Sequence, residues 1–198
     1  VKSSGVRVPP EVADCGGTSL VRGWEDPLGL SVGSLACRGV LIERGVGLNV
    51  EAGARSLEAA LAYQRSLDVR PAKRQDAAVI FGTRPDRITP DQRGVFSDYV
   101  TRLFMDLARR YELVVQVHTG LARLGDSSPM RLIPLIEEYP DVIFDLFHGG
   151  YPWVHHVAAI AQNYPNVRLN LTWLPQISTE VAVASLKEWL QVVPQINR

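Results

Sequence analysis

The chain has 198 residues, 46% of them hydrophobic, and its 21 Lys and Arg residues balance 21 Asp and Glu residues. The length suits one well-packed domain, and the even charge gives no reason to expect nucleic acid or an anionic membrane as a partner. No apolar run approaches the roughly 20 residues of a bilayer-spanning helix, and the N-terminus lacks the apolar core of a signal peptide. We expect a cytoplasmic protein forming a single domain over residues 1–198.

The first third of the chain is rich in glycine. Ten of the 16 glycines lie between Gly5 and Gly53, where apolar periodicity is poor. This pattern predicts an irregular region over residues 1–55, with short strands at best around Gly39 to Val50. The two cysteines, Cys15 and Cys37, lie outside any CxxC motif, so neither a disulfide framework nor a cysteine metal site is expected.

Two helical signals follow in chain order. The Leu/Ala-rich stretch 56–68 (SLEAALAYQRSLD) favours a helix, with a strand ending near Tyr63 as the alternative. Residues 89–92 (TPDQ) fit a capping box with proline at the first helical position. Apolar residues at helical spacing come next, so a long amphipathic helix to about Arg110 is predicted.

Strands and helices alternate in the rest of the chain. Short apolar runs predict buried strands over 113–118, 142–147 and 167–173. Helices are predicted from Ser128-Pro129 through Ile136, from Trp153 to about Asn163, and from a cap at Ser178 to about Val192. Such alternation predicts a parallel sheet covered by helices.

One phrase occurs twice: YPDVIFDLFH at 139–148 and YPNVRLNLTW at 164–173. We call these two copies the Tyr-Pro repeat. The residue before proline leaves the helical region, Asp or Asn then makes a turn, and a strand follows. The repeat is therefore predicted to be structural, and His148 in one copy corresponds to Trp173 in the other.

Two of the four histidines, His118 and His148, end successive predicted strands and precede glycines. Ligands and catalytic groups collect at the carboxyl ends of parallel strands. Two imidazoles there could share a divalent metal, or one could bind metal while the other acts as a base. Separate structural roles for the two histidines are the alternative. Trp173 is expected to form a pocket wall.

Other polar residues carry weaker signals. His155 and His156 are adjacent on a predicted helix and cannot both face one site, so surface positions are expected. Unless a bulge intervenes, strand alternation places Asp145 on the face opposite His148, as a buried hydrogen-bonding residue. Glu58 and Arg65 are candidate site residues, with a solvated face favoured for both. The chain has no GxxxxGK[ST], GxSxG or HExxH motif.

The segments VQVHTG, YPDVIFDLFHGGYPW, IAQNYPNVRLNLTWLPQIS and LKEWLQVVP, taken in order, resemble the amidohydrolase superfamily. The resemblance is closest to its metal-dependent hydrolases and decarboxylases, and it covers roughly residues 56–198. It implies an α/β fold of the (β/α)₈ TIM-barrel type, incomplete in this chain. It also implies a divalent metal, usually zinc, and a small-molecule substrate with an amide or ester-like bond.

The same resemblance assigns the site residues. His118 corresponds to the metal ligand that ends strand 5 of the barrel. His148 corresponds to the residue ending strand 6, which binds a second metal or acts on substrate and water. Trp153 and Trp173 would flank the site as substrate-binding residues.

The sequence also departs from the family pattern. No HxH pair of the kind carried by the family's first strand occurs, and relatives often have lysine around Glu58. The chain stops where the eighth strand, with its aspartate, should begin. Catalytic zinc usually has three protein ligands. The open alternatives are a decarboxylase, a fragment of a larger enzyme, and a non-catalytic relative that serves binding or assembly and forms homo-oligomers.

Overall fold

A computed structural model describes residues 5–8 and 33–193. The chain divides into two compact units, one spanning 1–57 and 70–113 and the other 58–69 and 114–198. The predictions for Cys15, and for the glycine-rich stretch between residues 9 and 32, lie outside the described residues. The single domain over 1–198 stays a prediction. None of the described helices is both long and apolar enough to cross a membrane.

The first unit contains strand β1 (Gly5–Val8) and helices α1 (Leu35–Glu51), α2 (Arg74–Phe81) and α3 (Pro90–Arg110). The predicted capping box of α3 is confirmed: the Thr89 backbone N–H donates to Oε1 of Gln92, and the Gln92 N–H donates to Oγ1 of Thr89. Phe96, Val100 and Phe104 of its predicted apolar stripe are buried. The strongest helical signal in the sequence is therefore confirmed.

Helix α1 corrects the prediction of an irregular region with short strands at 39–50. Its buried residues recur at spacings of three and four: Leu35, Arg38, Leu41, Ile42, Gly45 and Val46. Each helix-interior glycine costs about 1 kcal/mol relative to alanine, but packing of one face can offset that cost. Close packing also accounts for Gly47, where an added Cβ would lie 3.2 Å from the Tyr111 hydroxyl.

Strand β2 (Ser56–Ala59) leads into the second unit, where a 3₁₀ turn (Leu61–Tyr63) follows it. The predicted helix over 56–68 is therefore wrong, and the strand given as the alternative is present but ends at Ala59, before Tyr63. Leu57 and Ala59 are buried while Ser56 and Glu58 are half-buried, as alternation in a strand requires. The Leu/Ala content misled because burial in a sheet overrides helix propensity.

The remaining elements of the second unit alternate as predicted. They are β3 (Val114–His118), α4 (Ile133–Glu138), β4 (Phe144–Phe147), α5 (Val154–Asn163), β5 (Val167–Leu169), α6 (Leu174–Ile177) and α7 (Thr179–Val192). Strands β2, β3, β4 and β5 are neighbours in that order. Strand β4 pairs in parallel with both β3 and β5. The predicted parallel arrangement of these three strands is confirmed.

The Tyr-Pro repeat ends two helices, as predicted. Helix α4 has its C-cap at Tyr139 and α5 has its C-cap at Tyr164. The buried side chain of Asn166 then joins the copies, since its Nδ2 lies 3.1 Å from the carbonyl oxygens of both Tyr139 and Val142. The repeat is structural, and its Asn in the second copy satisfies carbonyl groups in the first.

Strand β5 is shorter than predicted, because it ends at Leu169 and does not continue to Trp173. The Thr172 N–H donates to Oδ1 of Asn170 (2.8 Å), which makes a turn stabilised by the asparagine side chain. Trp173 has φ 69°, in the left-handed region. Asn170 still pairs through its backbone with Leu146 and Gly149, and the turn at Thr172 and the left-handed Trp173 then direct the chain away from β4.

The two faces of strands β3 and β4 differ in burial. One face is apolar and fully buried: Val115, Val117, Phe144 and Leu146. The other face is half-buried and more polar: Gln116, His118, Asp145 and Phe147. The polar side chains of these two strands therefore lie on the second face, and His118 lies at its carboxyl end.

Candidate functional site

His118 and His148 meet at the carboxyl ends of β3 and β4. Nδ1 of His118 lies 2.8 Å from Nε2 of His148, and the ring centroids are 4.8 Å apart. The alternative in which each histidine packs separately under its own loop is therefore wrong. Their role as metal ligands stays a prediction.

His148 reaches His118 because the backbone leaves the strand conformation. His148 has φ 68°, and Gly149 and Gly150 follow with φ 57° and 67°. Gln116 and Asp145 are register partners, so Asp145 shares the face of His118. The prediction that Asp145 and His148 lie on opposite faces is therefore wrong, because the left-handed residue interrupts strand alternation.

The backbone after β5 forms a hydrogen bond with Nδ1 of His148, the ring nitrogen that does not face His118. Nδ1 of His148 lies 3.0 Å from the carbonyl oxygen of Thr172. Burial lowers the pKa of His148 from its usual value, and His118 lowers it further. The hydrogen bond to Thr172 and the charge of Glu58 oppose these effects. The balance favours a neutral imidazole, which is the form that binds a metal.

Glu58, on β2, is part of the same cluster. Its Oε1 lies 2.9 Å from Nε2 of His118, and the two side chains are 27% and 13% exposed. The expectation of a solvated face for Glu58 is wrong. Arg65, the other residue considered, donates to the backbone carbonyls of Ser66 and Asp68 instead. Glu58 is thus in contact with His118, whereas Arg65 makes its hydrogen bonds to its own loop.

Two aromatic residues surround His118. The Tyr63 hydroxyl lies 3.2 Å from Nδ1 of His118, and its ring packs edge-on at 5.3 Å between centroids. Phe147 packs against the same imidazole, also at 5.3 Å. The sequence prediction missed Tyr63 as a site residue, although the alternative of a strand ending near it gave the needed signal. Tyr63 is 50% exposed, and a tyrosine hydroxyl can donate to a bound molecule.

The tryptophans predicted to bind substrate lie near the loops that follow the strands. Trp173 directly follows Thr172 and is 63% exposed. Trp153 is half-buried at the N-terminal end of α5. Their role in substrate binding stays a prediction. His155 and His156 are both exposed, as expected, and His155 pairs with Glu188.

Asp145 forms hydrogen bonds of its own on the sheet face that carries His118. Its Oδ2 accepts from Nδ2 of Asn170 (2.9 Å) and from Nε2 of Gln116 (3.3 Å). Burial raises the pKa of Asp145, and the two amide donors act in the opposite direction. The predicted hydrogen-bonding role of Asp145 is confirmed.

The donor atoms of the histidine pair fit a divalent metal in part. Two nitrogens bound to one zinc at about 2.0–2.1 Å lie about 2.9 Å apart at a right angle and about 3.3 Å apart at the tetrahedral angle. The observed 2.8 Å needs only a small separation of the rings. Within residues 5–8 and 33–193, no group of three or more His, Cys, Asp or Glu residues could hold a metal. The pair therefore fits as two ligands of a larger set.

Comparison with known proteins gives a family. Residues 42–195 match the family model described as amidohydrolase (Amidohydro_2). The protein FluG of Emericella nidulans is 30% identical over 153 residues, which cover 68% of this chain and 18% of FluG. The chain therefore spans less than a fifth of that relative.

Solved structures share the fold at low identity. A protein described as a metal-dependent hydrolase from Lactobacillus casei is 17% identical with TM-score 0.69, over 81% of this chain and 44% of that one. Uronate isomerase of Thermotoga maritima is 15% identical with TM-score 0.75, over 94% and 46%. Glucuronate isomerase of Caulobacter crescentus is 15% identical with TM-score 0.68, over 96% and 43%.

These likenesses confirm the predicted α/β fold of the (β/α)₈ barrel type, and the chain spans less than half of each of the three structures. The family match covers every residue of the histidine cluster, from Glu58 to Thr172. The chain belongs to the amidohydrolase superfamily.

Proposed function

We propose that this chain contributes His118 and His148 as ligands to one divalent metal in a hydrolase site for a small molecule. The observation that carries the proposal is the 2.8 Å approach of Nδ1 of His118 to Nε2 of His148. Both atoms are ring nitrogens of the kind that bind zinc, and the pair lies at the carboxyl ends of parallel strands, where α/β enzymes bind their ligands. Membership in the amidohydrolase superfamily supports the same chemistry.

His148 and the bound ion would have different roles in the proposed site. His148 stays neutral in its buried position and presents Nε2, while its Nδ1 donates to Thr172. If Nε2 of His148 does not bind the ion, its alternative role is to orient water or substrate through that nitrogen. The chemistry that a bound divalent ion supplies is polarisation of a carbonyl and activation of water. Zinc is our preferred ion because imidazole suits it.

Aromatic side chains define the proposed substrate region. Tyr63, which contacts His118, is 50% exposed, and Trp173, which follows Thr172 in the chain, is 63% exposed. With Trp153 they would contact the apolar part of a small substrate, and the Tyr63 hydroxyl would donate to its carbonyl. We propose an amide or ester-like bond as the reacting group. Loss of a carboxylate is the second reaction, and two of the similar structures are isomerases, so all three classes belong in a substrate panel. A cytoplasmic location stays a prediction.

The first test is metal binding. Purified protein, stripped with a chelator, is titrated with Zn²⁺ and Mn²⁺ by calorimetry, alongside His118→Ala, His148→Ala and the control His155→Ala. We expect one ion per chain, at least a tenfold loss of affinity in the two site variants, and no change in the control. Absence of binding in the unsubstituted chain, or equal affinity in His118→Ala, would overturn the proposal. Metal binding without turnover of any panel member would favour the non-catalytic relative.

A further inference from the structure

We infer that Glu58 is a positioning residue for the histidine pair. Its carboxylate holds His118 in the tautomer that carries the proton on Nε2, so that the lone pair of Nδ1 faces His148. The inference deepens the proposed metal site and rests on it for its functional meaning. The tautomer of His118 in the metal-free chain does not depend on whether a metal binds.

Each imidazole has one hydrogen-bond partner on the side away from the other ring. The Thr172 carbonyl oxygen can only accept, so Nδ1 of His148 carries a proton and its Nε2 carries a lone pair. An ionised carboxylate also only accepts, so Glu58 places a proton on Nε2 of His118 and leaves a lone pair on Nδ1. The two inner nitrogens, 2.8 Å apart, are then both acceptors.

Two lone pairs at this distance repel unless a cation lies between them. A neutral pair avoids the repulsion if His118 moves its proton to Nδ1 and donates to His148. The resulting hydrogen bond from His118 to His148 would occupy Nδ1 of His118 and Nε2 of His148, and it would therefore compete with metal binding. In the Nε2–H tautomer the Tyr63 hydroxyl, 3.2 Å from Nδ1 of His118, can donate to that lone pair instead. Because Glu58 favours the Nε2–H tautomer, it disfavours the competing arrangement and leaves the pair ready for a divalent ion.

The location of Glu58 supports a positioning role over a surface ion pair. Glu58 lies on β2, the strand next to β3, and its partner His118 is 13% exposed at the side chain. Another Glu–His pair in the same unit provides the contrast. Oε2 of Glu188 lies 2.6 Å from Nδ1 of His155, whose side chain is 77% exposed. Glu188 is therefore the matched control.

The test compares Glu58→Leu, Glu58→Gln and the control Glu188→Leu. Long-range ¹⁵N–¹H correlation spectra of the metal-free proteins at about pH 8, above the usual imidazole pKa of about 6.5, report the tautomer of His118. We expect mainly Nε2–H in the unsubstituted chain and in Glu188→Leu. We expect a shift toward Nδ1–H in Glu58→Leu. Glutamine can present either amide group to Nε2, so Glu58→Gln should give a mixture while keeping the shape of the side chain.

Zinc affinity is the second readout. Removal of a carboxylate that orients a metal-binding histidine typically costs about 10–100-fold in affinity, and we expect this loss in Glu58→Leu only. An unchanged His118 tautomer in both Glu58 variants would overturn the inference, whatever the metal data show. A shifted tautomer with no zinc binding to the unsubstituted chain would instead refute the proposed metal site and leave the tautomer assignment standing. If Glu58→Leu fails to fold, Glu58→Gln decides.

Discussion

Asp145 and Asn170 occupy equivalent places in the two copies of the Tyr-Pro repeat, and they are hydrogen-bonded to each other. Nδ2 of Asn170 lies 2.9 Å from Oδ2 of Asp145, while Oδ1 of Asn170 accepts from the Thr172 N–H. Thr172 in turn accepts from His148. One asparagine thus connects a polar group within the sheet to the loop that holds the candidate metal ligand.

Replacement of Asn170 by alanine should destabilise the chain by about 1–3 kcal/mol, because the half-buried Asp145 loses a donor and the Thr172 turn loses its acceptor. Urea unfolding measures the change. The control is Asn163→Ala, which removes an amide donating to Ala159 at an exposed helix end. We expect about 0.5 kcal/mol or less there. Equal losses in the two variants would contradict the connecting role of Asn170.

The raised pKa of Asp145 predicts a pH-dependent stability difference. Burial is the main cause: it disfavours the ionised carboxylate and so raises the pKa of Asp145 in the folded chain above its usual value of 3.8. The contribution of Asp145 to stability is therefore fully present below the unfolded-state pKa and is lost as the pH rises through the folded-state pKa.

Asp145→Asn removes this titration. We expect the free energy of unfolding of the variant, relative to the unsubstituted chain, to become more favourable as the pH rises from about 4 to about 7. Denaturant unfolding at several pH values measures the difference. Two parallel stability curves would show that burial does not penalise the ionised carboxylate.

Gly120 sets the approach of the loops that follow β3 and β4. It has φ 65°, and a Cβ added to it would lie 1.9 Å from the carbonyl oxygen of Tyr151. Because the clash involves backbone, Gly120→Ala should cost more than about 3 kcal/mol and should separate His118 from His148. Gly125→Ala is the control, since nothing lies within 4 Å of its added Cβ. Chemical denaturation of both variants checks the prediction, and a stable Gly120→Ala would refute it.

Trp173 carries backbone strain, because φ 69° is unfavourable for a bulky side chain. Replacement by glycine should therefore give a chain about 1 kcal/mol more stable than replacement by alanine. Trp153 has φ −91°, so there the alanine variant should be the more stable of the two. Thermal unfolding of the four variants measures both differences. The same order at both positions would contradict strain at Trp173.

The equivalent residue in the other repeat, His148, has almost the same conformation, with φ 68°. Sequence comparison of the copies predicted equivalent positions for His148 and Trp173. Histidine is only somewhat enriched at positive φ and tryptophan is not, so the residue types did not predict this conformation. The misassigned face of His148 has this cause. Strained backbone concentrates at functional sites, so alternation rules fail where the site begins.

Helix α3 was predictable because Thr89 and Gln92 form a local cap and its apolar stripe is long. Helix α1 was not predictable, because its glycines are typical of loops. The tertiary packing that offsets their low helix propensity is not visible in the sequence. His118 and His148 could be brought together from strand order alone. Glu58 could not, because it lies 60 residues from His118 and its strand was predicted to be a helix.

The spacing of the histidines also has a consequence for the denatured chain. His118 and His148 are 30 residues apart, and a flexible tether of that kind keeps its ends at an effective concentration on the order of millimolar. A metal that binds the pair would thus also bridge it in unfolded molecules. Added metal would then raise the melting temperature less than its affinity for the folded chain implies, since only binding that discriminates against the unfolded state stabilises.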